Sequence, residues 1–219
     1  MDWKELIVFE IEKAKQRIVS LNLEKGMVRY SERIRLDRPI HRISEDSEIV
    51  RAYMVHRFVN TMGYAPESLE LDRPYKVGNI RETVTVDVVV NDEDGDPFFF
   101  AIAVAPDDYV RGEGAESRLF LAAEKEFEKT GRVVHHLLYF TVKVENEKLA
   151  HESMIIDYSH FHLMSDWDRK EDGSHTVIGI KGNMIRERFR GNRKIVRIRY
   201  RDSRITAFFD RKEHSICLK

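Results

Sequence analysis

The chain is poor in the residues that would declare its class at once. Cys217 is the only cysteine in 219 residues. A single thiol excludes an intramolecular disulfide and a cysteine-based zinc cluster, and it fits a reducing, cytoplasmic setting. Long apolar runs are missing. None approaches the roughly 20 residues that a membrane helix needs, so no membrane partner is expected. The first residues, MDWKELIVFEIEKAKQ, carry acids throughout and do not read as a signal peptide. No Walker A sequence is present, so the chain has no motor of its own. No methyltransferase motif, internal repeat or low-complexity segment occurs. The formal net charge is −1, which argues against a uniformly basic nucleic-acid binder but allows segregated charge.

The composition, 42% hydrophobic and 34% charged, is that of a soluble globular protein. The length suits one large domain, or one domain with an appendage. The charge is segregated. Between Lys181 and Arg204 ten basic residues face only Glu187 and Asp202, so the remainder is acidic. A solvated face with cross-strand pairing would account for such a stretch. Phosphate contact is preferred, because positive charge is in excess and Phe189 and Tyr200 are interleaved. The candidate DNA-binding residues are Arg193, Lys194, Arg197, Arg199 and Arg201.

Periodicity predicts the elements. Leu6, Ile7, Ile11, Ala14, Ile18 and Leu21 follow helical spacing, giving one amphipathic helix over Trp3 to Leu21. Gly26 and GMVRYSERIRL read as a turn and a short strand or loop. Pro39 and the SED cluster close this arm. A second helix spans Ser44 to Met62. Ser44 is its candidate N-cap, Glu45, Asp46 and Glu48 suit the first-turn dipole, and Gly63 is its C-terminal glycine. Leu69 to Val77 is a strand and Gly78-Asn79 a turn. DDYVRGEGAE is a polar loop, Glu116 to Lys129 a third helix, and Val133 to Val144 and His151 to Tyr158 are strands. Ile195 to Tyr200 and Arg204 to Phe209 suggest a terminal hairpin through Asp202-Ser203. The expected fold is an α/β or α+β layered domain with a mixed sheet flanked by helices. It divides into an N-terminal helical arm (1–43), a core (44–158) and a basic C-terminal extension (159–219).

The chain is organised around Thr83 to Pro106, TVTVDVVVNDEDGDPFFFAIAVAP. The first half is almost all β-branched, NDEDGD is a turn cluster with a glycine suited to positive φ, and Phe98 to Ala105 is an apolar run. The whole reads as a β-hairpin. One charge, Asp87, sits inside the first strand. A carboxylate there is costly unless it is paired. Either it anchors a hydrogen-bond network or it holds a metal.

The ordered segments around it carry a resemblance. Glu48-Ile49-Val50-Arg51 opens a helix that ends in Met62-Gly63-Tyr64. A strand follows, ending at Gly78, and then VDVVVNDEDGDP, an apolar strand and PDD. Over roughly Ser44 to Tyr158 this resembles the N-terminal nuclease domain of type I restriction enzyme R subunits, of the PD-(D/E)xK superfamily. The resemblance implies a restriction-endonuclease-like fold and Mg²⁺-dependent DNA cleavage. It also implies partnership with modification and specificity subunits, or fusion to a helicase or methyltransferase. Asp87 matches the first carboxylate of the family pattern, and Glu48 is a candidate second metal ligand. In the following strand Ile102 and Val104 match the family phrase, but Ala103 stands where Glu is expected and Ala105 where Lys is expected. With alanine at both positions the site loses a metal ligand and its base, so the chain is expected to be inactive. Deliberate inactivation is the preferred origin of these alanines, and a natural pseudo-nuclease that binds nucleic acid or aids assembly is the alternative. A family Gln-x-x-x-Tyr motif falls on Glu116-x-x-x-Phe120, which departs at both positions.

Plainer readings stand beside these. Glu48 could be a first-turn dipole acid only, and Asp87 a hydrogen-bonded aspartate without metal. His135 and His136 are adjacent in a strand, face opposite ways and read as structural. His160 and His162 share a strand face, but no third ligand accompanies them for zinc.

Overall fold

A computed structural model describes residues 2–77, 82–92, 94–111, 113–158, 207–210 and 215–218. Helix α1 spans Trp3–Glu12. Asp2 accepts the Glu5 N–H at 2.8 Å, and the Glu5 carboxylate accepts the Asp2 N–H at 3.1 Å. This reciprocal pair satisfies donors that the first turn would leave bare. The helix stops nine residues short of the expected Leu21. Ile18 and Leu21 fit a helical period, yet Val19–Asn22 is strand β1 and pairs with β2, Met27–Tyr30. Burial of Ile18 and Val19 and the cross-strand ladder override the weak local preference. Gln16 is also held away from the helix: its N–H donates to Asn60 Oδ1 at 3.0 Å, and its C=O accepts from Asn60 Nδ2 at 3.1 Å. Ile40–Arg42 forms β3, which completes a three-stranded antiparallel sheet in the order β1-β2-β3. The N-terminal segment expected as a helical arm is therefore a helix on a small sheet. Its Ile7, Ile11, Val28 and Tyr30 lie in the same buried core as the residues that follow.

Helix α2, Asp46–Asn60, is buried from Ile49 through His56. Its N-cap is Glu45, without a side-chain cap bond. The expected cap, Ser44, instead gives its hydroxyl to Glu48 Oε1 at 3.0 Å. Gly63, at φ 79°, turns the chain so that the Tyr64 N–H reaches the Phe58 C=O at 2.9 Å.

Five strands form the main sheet: β4 (Leu69–Val77), β5 (Glu82–Asn91), β6 (Pro97–Ala103), β7 (His136–Glu145) and β8 (Lys148–Asp157), in that spatial order. All neighbours are antiparallel except β6 and β7. That parallel pair needs a crossover. It is supplied by a six-residue 3-10 helix, Pro106–Arg111, where a polar loop was expected, and by α3, Glu113–Thr130. The mixed α+β architecture expected from the sequence is present. The β5–β6 turn is built by Asp92, whose Oδ1 accepts the N–H groups of Asp94 and Asp96 at 3.0 and 2.9 Å, with Gly95 at φ 84°.

Adjacent residues of β6 face opposite ways. Phe99 packs edge-on against Phe58 of α2 at 5.3 Å, while Phe100 meets Tyr75 at 5.5 Å, and the Tyr75 hydroxyl donates to Glu126 of α3 at 2.7 Å. The sheet is thus covered by α2 on one face and α3 on the other. Each fully buried phenylalanine here contributes about 1.5–3 kcal/mol. At the C-terminal end, Ala207–Asp210 (β9) pairs antiparallel with Ser215–Leu218 (β10). The expected partner strand, Ile195–Tyr200, its turn and Gly78-Asn79 lie outside the described residues.

Candidate functional site

Where α2 begins and β6 ends, the surface opens into a cleft of about 650 Å³. Its lining includes Glu48, Asp87, Ala103 and Ala105, the four positions singled out in the sequence, together with Arg51, Arg118 and the exposed Asp107 and Asp108. Asp87 reaches it because the β5–β6 ladder ends at Val88↔Ala101. Past that point the Asp87 carboxylate serves as the acceptor: Oδ2 takes the Ala103 N–H at 2.8 Å. Oδ1 lies 3.8 Å from Arg118 Nη2 of α3. Burial pushes the Asp87 carboxyl up to about 6, against the opposing pull of the Ala103 N–H, Arg51 and Arg118.

Arg51 is the residue that the sequence reading missed. It sits in the buried face of α2, with its side chain 8% exposed. Its Nη1 donates to Asp72 Oδ1 at 2.5 Å and its Nε to the Tyr30 hydroxyl at 3.2 Å. Asp72 occupies β4 at φ 56°, a conformation that aspartate tolerates better than most residues. That turn in the strand directs Asp72 to Arg51, while its neighbour Arg73 bonds Glu70 and faces Glu126 of α3. Burial raises the Tyr30 hydroxyl to about 12, despite the adjacent guanidinium. Burial would lower the Arg51 value, but Tyr30, Asp72 and Asp87 together hold it above its ordinary range. The signal in the sequence was a lone cation inside an otherwise apolar helical face, between Val50 and Ala52.

Glu48 is occupied locally. Both its oxygens take Ser44, from the hydroxyl at 3.0 Å and from the N–H at 3.3 Å. Phe120, at the second position that departs from the family Gln-x-x-x-Tyr motif, is buried and packs on Tyr158 at 5.6 Å. His136 is fully buried beside Phe98, in keeping with a structural role. Arg193, Lys194, Arg197, Arg199, Arg201, His160 and His162 lie outside the described residues.

The residues at this cleft do not fit Mg²⁺. A hard divalent cation takes several oxygen ligands, usually including one or two carboxylates. Here the strand pair offers one carboxylate, and methyl groups stand at 103 and 105. The arginines Arg51 and Arg118 balance Asp72 and Asp87 one for one, and Glu48 is turned to Ser44. Among the described residues no group of three or more His, Cys, Asp or Glu side chains is placed to hold a metal. The cleft can bind and exchange protons through Asp87. Its other acids line the rim rather than the strand beside Asp87, where alanines stand at 103 and 105, and no lysine is among its described lining residues to organise phosphodiester hydrolysis.

No protein-family model matches the chain, and a search of curated proteins also returned no match. No helix of the described residues is long and apolar enough to cross a membrane.

Proposed function

We propose that this chain is a nuclease-fold domain of the kind found in type I restriction or related defence systems, and that it engages DNA without cleaving it. The observation that carries the reading is the Asp87 site itself. A carboxylate in the hairpin strand points to the end of the next strand, as metal-dependent nucleases require, but Ala103 and Ala105 leave it without the groups that would complete the chemistry. The element order from α2 through β7 supports the same reading. The cleft is mainly acidic and would repel a phosphate backbone in the absence of a bridging cation. DNA contact is therefore assigned to the basic stretch between Lys181 and Arg204. Modification and specificity subunits, or a fused helicase or methyltransferase, are the partners that suit such a module.

The test is fluorescence anisotropy with duplex DNA across a salt series. Binding should weaken steeply with salt. Replacing Arg197, Arg199 and Arg201 together by Ala should flatten the log–log slope by about 2–3, at about 0.9 per phosphate contact. An unchanged slope would remove the basic stretch from the interface, and absent binding would remove DNA as the partner.

A further inference from the structure

The mismatch between the cleft and a divalent cation has an identifiable cause. Arg118 stands on α3 with its Nη2 3.8 Å from Asp87 Oδ1, on the side of the carboxylate that Ala103 does not occupy. Its side chain is 46% exposed, and it lines the cleft rather than packing into the core. Arg51, by contrast, is fixed beneath the cleft by Tyr30 and Asp72. The four charges Arg51, Arg118, Asp72 and Asp87 therefore cancel formally. A divalent ion placed on Asp87 would meet a guanidinium a few ångströms away, whose repulsion opposes the attraction of the other acids around the cleft.

We propose that Arg118 is a built-in counter-ion for Asp87 and occupies the electrostatic place of a divalent cation. A carboxylate restored at position 103 is then insufficient for cation binding while Arg118 remains. The inference deepens the non-cleaving reading given above and rests on it only for the choice of cleft. Its test involves no DNA, so a failure to bind DNA leaves it standing or falling on its own result. The roles also separate cleanly. Arg51 is part of the fold. Among the described residues Arg118 makes one long ion pair, and it can be exchanged without disturbing the core.

The probe is Mn²⁺, followed by electron paramagnetic resonance, with Mg²⁺ titrated calorimetrically as a second readout. The full chain is used. Four proteins are compared: the parent, A103E, A103E/R118Q and R118E. Thermal melting checks that each is folded. Because Ala103 is buried, A103E could fail to fold. R118E avoids that difficulty, since it removes the guanidinium and adds a carboxylate beside Asp87 at an exposed position. The parent should bind no Mn²⁺ at this cleft. A103E/R118Q should bind at least tenfold more tightly than A103E, and R118E at least tenfold more tightly than the parent. Asp87→Asn in the R118E background should abolish that gain, which places the ion at Asp87. Equal affinities within twofold for both comparisons, or a gain that survives Asp87→Asn, would overturn the proposal. So would tight Mn²⁺ binding by the parent that Asp87→Asn removes.

Discussion

Two arginine sites meet at consecutive residues of β4, Arg73 itself and Arg51 through Asp72, and they treat their carboxylates differently. Arg73 meets Glu70 through two contacts, at 2.8 and 2.5 Å, and lies 3.6 Å from Glu126. Arg35 adds a contact to Glu70 at 3.1 Å, and the Tyr75 hydroxyl bonds Glu126. Burial alone would raise the Glu70 value, but Arg73 and Arg35 outweigh it and hold it below the usual carboxylate range. Arg51 spends its contacts on Asp72 and Tyr30. Asp87 is left with one N–H and a guanidinium at 3.8 Å, and burial wins. One site is a closed ionic network that stabilises the fold. The other keeps an under-compensated carboxylate at the wall of an open cleft. Perturbed groups of the second kind concentrate at functional sites.

Removing each arginine tests that contrast with the largest effect. Arg73→Ala should cost about 3–5 kcal/mol, because Glu70 and Glu126 would stay buried without their partner. Arg51→Ala should cost less, about 2–3 kcal/mol. Asp72 is 37% exposed, so water would take over part of the lost interaction. Denaturant melts measure both. Equal costs, or a larger cost for Arg51→Ala, would break the distinction between the closed and the open site.

The pH dependence sharpens it, with opposite signs at the two sites. Asp87 has a folded value of about 6, above its ordinary 3.8. Its favourable contribution is complete below 3.8 and is lost as pH rises through 6. Asp87→Asn keeps an oxygen acceptor for the Ala103 N–H. It should therefore stabilise the protein at pH 8 by about 1–2 kcal/mol and have no such effect at pH 3.5. Glu70 is shifted down. Its contribution is present above the ordinary glutamate range and is lost as pH falls through the lowered value. Glu70→Gln should thus destabilise at neutral pH, by about 1 kcal/mol after allowance for solvent screening, and be neutral in strong acid. Thermal melts of both variants across pH check the crossing. The smallest effect is expected from Arg118→Gln, whose exposed pair with Asp87 should change stability by no more than about 0.5 kcal/mol.

What was legible in the sequence follows the physics of each signal. Helix α2, strand β4, the β5–β6 hairpin and α3 announced themselves through apolar patterning, which alternates where one face is buried, as in β4, and is continuous where both are, as in β6. The clustering of Glu48, Asp87, Ala103 and Ala105 around one cleft was anticipated by segment order. Strand β1 was not, since Ile18 and Leu21 also satisfy a helical period and only pairing with β2 decides between them. Strand β3 was hidden by its length of three residues. Arg51, Arg118 and Asp72 escaped for a different reason. Arginine on a helix reads as surface until the sheet beside it is known, and the positive φ of Asp72 appears where no glycine marks it. Tertiary electrostatics leaves little trace in a local pattern.

The central claim is that Asp87 sits in a nuclease-like cleft that does not cut. The most direct measurement is incubation of the purified chain with supercoiled plasmid and Mg²⁺, scored for nicked and linear DNA, beside Asp87→Asn. The account predicts retarded but intact plasmid in both. Mg²⁺-dependent nicking that disappears in Asp87→Asn would contradict it.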